Sequence, residues 1–227
     1  MEVIGLPADP AFPDGVFVED TTVILDEIAV LTSPAPQSRR GESVAIRAAL
    51  SPHRQCLQLP ADVFLEGGDV LRVDRILFVG LSSRTNESGV LALEAAVRPF
   101  GYSVVPAHVT GCLHLKSAVC ALDDETVLIN REWVDEAPFS RLLKLDVPRS
   151  ESFAANVLQL PDRILVSAAY PATQNLIHSR GFRVISLDVS ELHKAEAGLT
   201  CMSLLFAVAQ PRESDAEHSE SSPIAAG

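Results

Sequence analysis

What constrains this chain most is an echo that recurs along it. Five short segments share one pattern: Phe17-Val-Glu-Asp20, Phe64-Leu-Glu-Gly-Gly-Asp69, Leu113-His-Leu-Lys-Ser117, Phe153-Ala-Ala-Asn156 and Leu199-Thr-Cys-Met-Ser203. Their starts lie 47, 49, 40 and 46 residues apart. A β-rich stretch follows each, and four of these turn at their middle: 21–31 at Asp26-Glu27, 70–81 at Asp74, 117–129 at Asp123-Asp124, and 157–166 at Pro161-Asp162. Apolar runs on either side of Asp or Pro signal hairpins, because those residues supply the turn conformations that strands cannot.

Helical patterns come next. Thr85 or Asn86 can cap a helix that keeps Val90, Leu93 and Val97 on one face and ends at Pro99. Pro171 opens another, with Leu176 and Ile177 facing inward and Gly181 just beyond its end. An alanine-rich helix over 38–50 and a short one over 132–137 fill the other two positions. Single strands follow at 55–59, 103–105, 142–145 and 183–187. The predicted unit is therefore hairpin, helix, strand. Units of this size cannot each bury a face alone, so they pack on their neighbours as a ring or a solenoid. In a closed ring the polar echoes converge on one axis.

The fifth unit is expected to be incomplete. After Leu199-Thr-Cys-Met-Ser203 the pattern offers one strand, 204–208, and the polar run beyond it predicts a disordered tail over 210–227. That leaves 1–209 as one catalytic domain. Residues 2–6 read as the closing strand of a unit whose own strand and helix are missing.

Charge narrows the partners. Eighteen basic against thirty acidic residues give a net charge of −12, which argues against nucleic acid or an anionic membrane. No apolar run reaches the roughly 18 residues of a membrane span. Cys56, Cys112, Cys120 and Cys201 form neither a CxxC pair nor a dense framework, so a cytoplasmic protein is expected.

The polar set in and around the echoes comprises Asp14, Glu19, Asp20, Glu66, Asp69, His114 and Cys201. A cysteine nucleophile needs a thiolate, and a histidine nearby stabilises it and relays protons. A carboxylate on the histidine fixes its tautomer and orientation. Further acids suit a cationic substrate. Taken singly each residue has a structural explanation: packing for the cysteine, turn chemistry for Gly67-Gly68-Asp69, a solvated strand end for Glu19-Asp20.

Phe12-Pro-Asp-Gly-Val-Phe-Val-Glu-Asp20, Leu65-Glu-Gly-Gly-Asp-Val-Leu71, Phe78-Val-Gly-Leu-Ser-Ser-Arg-Thr-Asn86, Leu113-His-Leu-Lys-Ser117 and Leu199-Thr-Cys-Met-Ser203 closely resemble the dimethylarginine dimethylaminohydrolase (dimethylargininase) family of the guanidine-modifying, or pentein, superfamily. The motifs run in order over 6–208. The resemblance implies an α/β fold, a five-bladed α/β propeller of ββαβ units, here with its fifth unit incomplete. It implies hydrolysis of asymmetric dimethylarginine and monomethylarginine to citrulline and a methylated amine, with no cofactor. Cys201 would attack the guanidinium carbon and form a thiouronium. His114, supported by Glu66, would protonate the leaving amine and then activate water. Asp20 with Glu19 would bind the guanidinium, Asp14 the α-amino end, and Arg39 and Arg84 the carboxylate, while Ala195-Glu196 would line the pocket. Zinc held by Cys201 and His114 would inhibit. The chain would act as a monomer or homodimer.

The related arginine and agmatine deiminases place an aspartate where this chain has Lys116, which favours the methylated substrate over a deiminase reaction. A non-catalytic truncated relative acting as a binding protein is the other alternative. One departure stands near the nucleophile, where the family usually reads Val-Asp-Gly and this chain has Ala195-Glu196-Ala197.

Overall fold

The fold, a computed structural model, describes residues 2–207. It is built from four copies of one unit. In the first, a hairpin of β1 (Thr22–Ile24) and β2 (Ile28–Leu31) leads through α1 (Ser43–Leu50) to β3 (Gln55–Gln58). β4 (Val70–Val73), β5 (Ile76–Leu81), α2 (Glu87–Val97) and β6 (Ser103–His108) form the second. The third starts with a single helical turn, α3 (Leu115–Ala118), followed by β7 (Val119–Ala121), β8 (Thr126–Ile129) and β9 (Leu143–Asp146). The fourth has β10 (Leu158–Leu160), β11 (Arg163–Ser167), α4 (Pro171–Ser179) and β12 (Val184–Leu187), and one more turn, α5 (Ser190–His193), follows it. Each sheet has three strands, the first two antiparallel and the third parallel to the second.

The local signals explain these elements. Asn86 caps α2 by accepting a hydrogen bond from Gly89 N at 2.8 Å. Pro171 opens α4, and Gly181, at φ +91°, follows its end. The middle strands are mostly apolar because both of their faces are covered. In β5, Leu77 and Val79 pack toward the first unit while Phe78 packs toward the third. In β8, Val127 and Ile129 face the second unit and Leu128 faces the fourth. Each core therefore lies between two consecutive sheets. The outer face of the first sheet, with Ala29 and Leu31, meets Leu204 and Phe206 from the chain's last described stretch.

Three expectations are corrected. The helix foreseen over 38–50 is a 3-10 turn, Gln37–Arg39, followed by a shorter helix from Ser43. At Gly41 the ring of Phe12 comes so close that a side-chain carbon there would lie 2.3 Å from it. The helix foreseen over 132–137 does not form. Its backbone pairs sideways instead, with Thr110 N on Trp133 O, Asp135 N on His108 O and Val134 bridged to Val109, and a 3-10 turn, Ala137–Phe139, follows. Finally, neither 2–6 nor 204–207 forms a strand, because neither has a ladder partner among the described residues. The foreseen tail over 210–227 lies outside those residues, as does Val208.

The first strands β1, β4, β7 and β10 surround a cavity of about 190 Å³, and residues 203–205 supply its fifth wall. No described helix is long and apolar enough to cross a membrane.

Candidate active site

The echoes meet at one end of this arrangement, where the first strand of each unit begins. Central to it is the 3-10 turn Gly67–Asp69, entered from Glu66. All four of these residues are buried. Two glycines permit the approach: a side-chain carbon on Gly67 would lie 2.0 Å from the Glu19 carbonyl oxygen, and one on Gly68 would lie 2.7 Å from Asp20 Oδ1 and 2.8 Å from His114 Cγ.

Glu66 Oε2 lies 2.7 Å from His114 Nε2, and Asp20 Oδ1 lies 3.7 Å from the same nitrogen. Burial by itself favours the neutral imidazole, yet the Glu66 hydrogen bond and the charges of Asp20 and Asp69 outweigh it, so the His114 pKa is raised. The other oxygen of Glu66 takes Arg84 Nη1 at 3.3 Å, and the Glu66 amide donates to Thr85 Oγ1. Asp69 accepts Leu115 N at 2.8 Å and Ser82 Oγ at 2.6 Å, which ties the loop carrying His114 to the loop carrying Arg84. Burial pushes the Asp69 carboxyl up.

Cys201 arrives on the segment after α5. Its carbonyl accepts Glu19 N at 3.1 Å, and its Sγ accepts Gly198 N at 3.3 Å. Burial, then the Glu19 carboxylate and to a lesser degree Asp20, push the thiol up to about 11 against the pull of Lys116. A thiol held up in this way ionises more easily with a cation beside it.

Several expected residues have other duties than those foreseen. Both Glu19 oxygens are taken: Lys116 Nζ donates to Oε1 at 2.6 Å and Thr200 Oγ1 to Oε2 at 2.6 Å. Glu19 is thus held beneath the site by two partners of its own. Arg39 is buried and turned inward. It donates to Asp20 Oδ2 at 2.7 Å, to both oxygens of Glu42, and to the Phe17 carbonyl, because two desolvated carboxylates need its charge. Arg84 is a half-buried cation on Glu66. Asp14 is exposed on the preceding segment, and its carbonyl accepts Arg39 Nη2 at 3.4 Å.

Ala195 and Glu196 are exposed, and Glu196 has φ +57°. Ala197 N bonds Leu192 O and Glu196 N bonds His193 O, which is a Schellman ending with Glu196 at the left-handed position that glycine usually fills. For a metal, the ligand atoms of Asp20, Glu66 and His114 lie within 4.8 Å of one another, whereas Cys201 is not part of that group. The three that do gather already serve Arg39, Gly68 N and Arg84. Glu42, Ser82, Thr85, Asn156 and Thr200 complete the polar site. Asn156 and Thr200 stand within the echoes, and Ser82 and Thr85 within the motif 78–86, so a signal for them existed; Glu42 carried none.

The family model of "N,N dimethylarginine dimethylhydrolase, eukaryotic" matches residues 1–206. The chain is 34% identical over 210 residues to N(G),N(G)-dimethylarginine dimethylaminohydrolase of Pseudomonas aeruginosa, covering 91% of this chain and 82% of that one. It is 38% identical over 209 residues to the protein of the same name from Streptomyces coelicolor, covering 88% and 78%. The solved structure of the Pseudomonas enzyme in complex with citrulline superimposes with a TM-score of 0.84 at 33% identity, covering 87% of this chain and 78% of that one. The N-terminal domain of the cyanobacterial arginine dihydrolase ArgZ shares the fold, with a TM-score of 0.78 at 21% identity over 88% of this chain and 78% of that one. With motifs, fold and comparisons in agreement, this chain belongs to the dimethylarginine dimethylaminohydrolase family.

Proposed function

We propose that the chain hydrolyses asymmetric dimethylarginine, and monomethylarginine, to citrulline and dimethylamine or methylamine. The observation that carries this reading is His114 Nε2 set between Glu66 and Asp20, with the Cys201 thiol in the field of the same acidic layer. Such a site is short of one cation. Asp20 takes the guanidinium from its Oδ1 side, Arg84 the substrate carboxylate, and Asp14 the α-amino group, with Ala195 and Glu196 along the pocket. Arg39 holds Asp20 aimed rather than touching the carboxylate itself.

Binding the cation lowers the thiol's pKa and releases its proton. The thiolate Sγ bonds to the guanidinium carbon. As the tetrahedral adduct collapses, the carbon–nitrogen bond to the methylated amine breaks and His114 gives that amine a proton. A thiouronium remains on Sγ. Water then adds to its carbon, passing a proton to His114, and the carbon–sulfur bond breaks to release citrulline and the thiol. Proton transfer of this kind contributes roughly 10²–10⁴ in rate. A raised His114 pKa keeps the acid form available for the first half of the cycle. The five walls of the central cavity support a five-unit ring as the frame of the site.

The test is citrulline formation from asymmetric dimethylarginine and from free arginine, with Cys201→Ser as control. Turnover of the methylated substrate that vanishes in the control is expected. Turnover of arginine instead would move the reaction to the deiminase class. Inactivity toward both would leave a binding protein.

A further inference from the structure

The fourth echo, Phe153-Ala-Ala-Asn156, supplies no group to the chemistry above, yet Asn156 is buried and fully engaged. Its Nδ2 donates to the Lys116 carbonyl at 3.0 Å and to Thr200 Oγ1 at 3.0 Å, while its Oδ1 accepts Thr200 N at 3.2 Å. One amide therefore joins two segments: the one carrying His114, through the backbone two residues after it, and the one carrying Cys201, through the residue before it. Gly198 is part of the same device. A side-chain carbon there would lie 2.2 Å from Asn156 Oδ1, and Gly198 N is the donor to Cys201 Sγ.

We propose that Asn156 is a positioning residue for the nucleophile, docking the Gly198–Cys201 turn onto the His114–Lys116 segment and so holding Sγ in its buried place. The chemistry of an amide suits this task. It offers donors and an acceptor at once, so it satisfies a carbonyl, a hydroxyl and an N–H, and it adds no charge beside a thiol already opposed by Glu19 and Asp20. Thr200 passes the restraint on to Glu19, and the Glu19 amide closes the loop on the Cys201 carbonyl. The stretch immediately before this turn is exposed, with Lys194, Ala195 and Glu196 at the surface. Releasing the amide lets the turn swing toward water. Two effects of opposite sign follow: turnover falls because Sγ leaves its place, and the thiol becomes easier to ionise because its burial is relieved.

The experiment uses the full chain carrying Asn156→Ala. It reads citrulline formation alongside the rate at which iodoacetamide alkylates each cysteine, followed by peptide mass spectrometry from pH 7 to 10. Only the turnover arm rests on the proposed function; if the parent chain forms no citrulline, that reading fails and the alkylation arm still decides the anchor. In the parent chain the Cys201 rate should climb about tenfold per pH unit across the range, because its thiol is held up to about 11. In the variant the curve should bend over near the ordinary thiol value of about 8.5, with a rate at pH 8 raised roughly tenfold or more and turnover lowered at least as much. Cys112 and Cys120, both held at about 12, should stay unreactive and show that the body is folded.

Unchanged turnover, or lost turnover with an unchanged Cys201 profile, overturns the proposal. If Cys112 and Cys120 become reactive as well, Gly198→Ala decides, since it displaces Asn156 Oδ1 while keeping the residue. The same pair of opposite effects there supports the anchor, and general unmasking in both variants overturns it.

Discussion

The turn Glu66–Asp69 and the arm that brings Cys201 hold the two halves of one site in different ways. The turn lies wholly inside, gripped by Thr85, Ser82 and Arg84 of its own unit, Leu115 and His114 of the next, and Asp20 of the one before. The arm is exposed over much of 190–196, where His193 stacks on Tyr170, and its polar ties come near its end, from Thr200, Gly198 and the Cys201 carbonyl. The Glu66–His114 half is thus preorganised by packing between units, while Cys201 is held by a few polar contacts. A mutation in the first region should register in stability and proton chemistry, one in the second in reactivity.

The hardest way to break the first region is Arg39→Leu. It leaves Asp20 and Glu42 buried without their cation, so about 3–5 kcal/mol of stability should go, read as a lower urea midpoint. An unchanged midpoint would mean that water reaches those carboxylates. Arg84→Ala is next. The charge-assisted bond proposed between Arg84 and the substrate carboxylate is worth about 1.5–3 kcal/mol, so its loss should appear as a KM raised roughly tenfold to a hundredfold with kcat less affected. A fall in kcat alone would instead point to the role of Arg84 on Glu66.

His114 gives the comparison a pH axis. Its folded pKa is raised, so the folded state holds the proton more tightly than the unfolded chain does. That stability is fully present below the unfolded value near 6.5 and is lost as pH rises through the raised folded value. Urea midpoints measured from pH 5 to 9 should fall across that window, and the fall should flatten in His114→Asn. A midpoint that rises with pH in the parent chain, with the slope gone in the variant, would reverse the sign. The smallest effect belongs to the arm: Glu196→Gly should leave stability unchanged or raise it by up to about 1 kcal/mol, because glycine accepts the left-handed backbone without strain. A loss there would mean that the Glu196 side chain holds the arm.

The sequence by itself determined what depends on near neighbours. Turn chemistry at Asp26, Asp74 and Pro161, the Asn86 cap and the Pro171 start act within a few residues, so the repeat and its strands were legible from pattern alone. The echoes likewise marked Glu66 and His114, which meet at 2.7 Å. Only the tertiary structure decided which charges are free. Glu19 is sealed by Lys116, 97 residues away, and by Thr200, 181 residues away, and no local pattern encodes such partners. Arg39, expected at the substrate carboxylate, instead serves Asp20 and Glu42. The lost helix over 132–137 follows the same logic: its backbone found partners at the end of β6, and sideways hydrogen bonds displaced a weak local preference. Burial and partnership are properties of distant segments brought together, and there the reach of pattern ends.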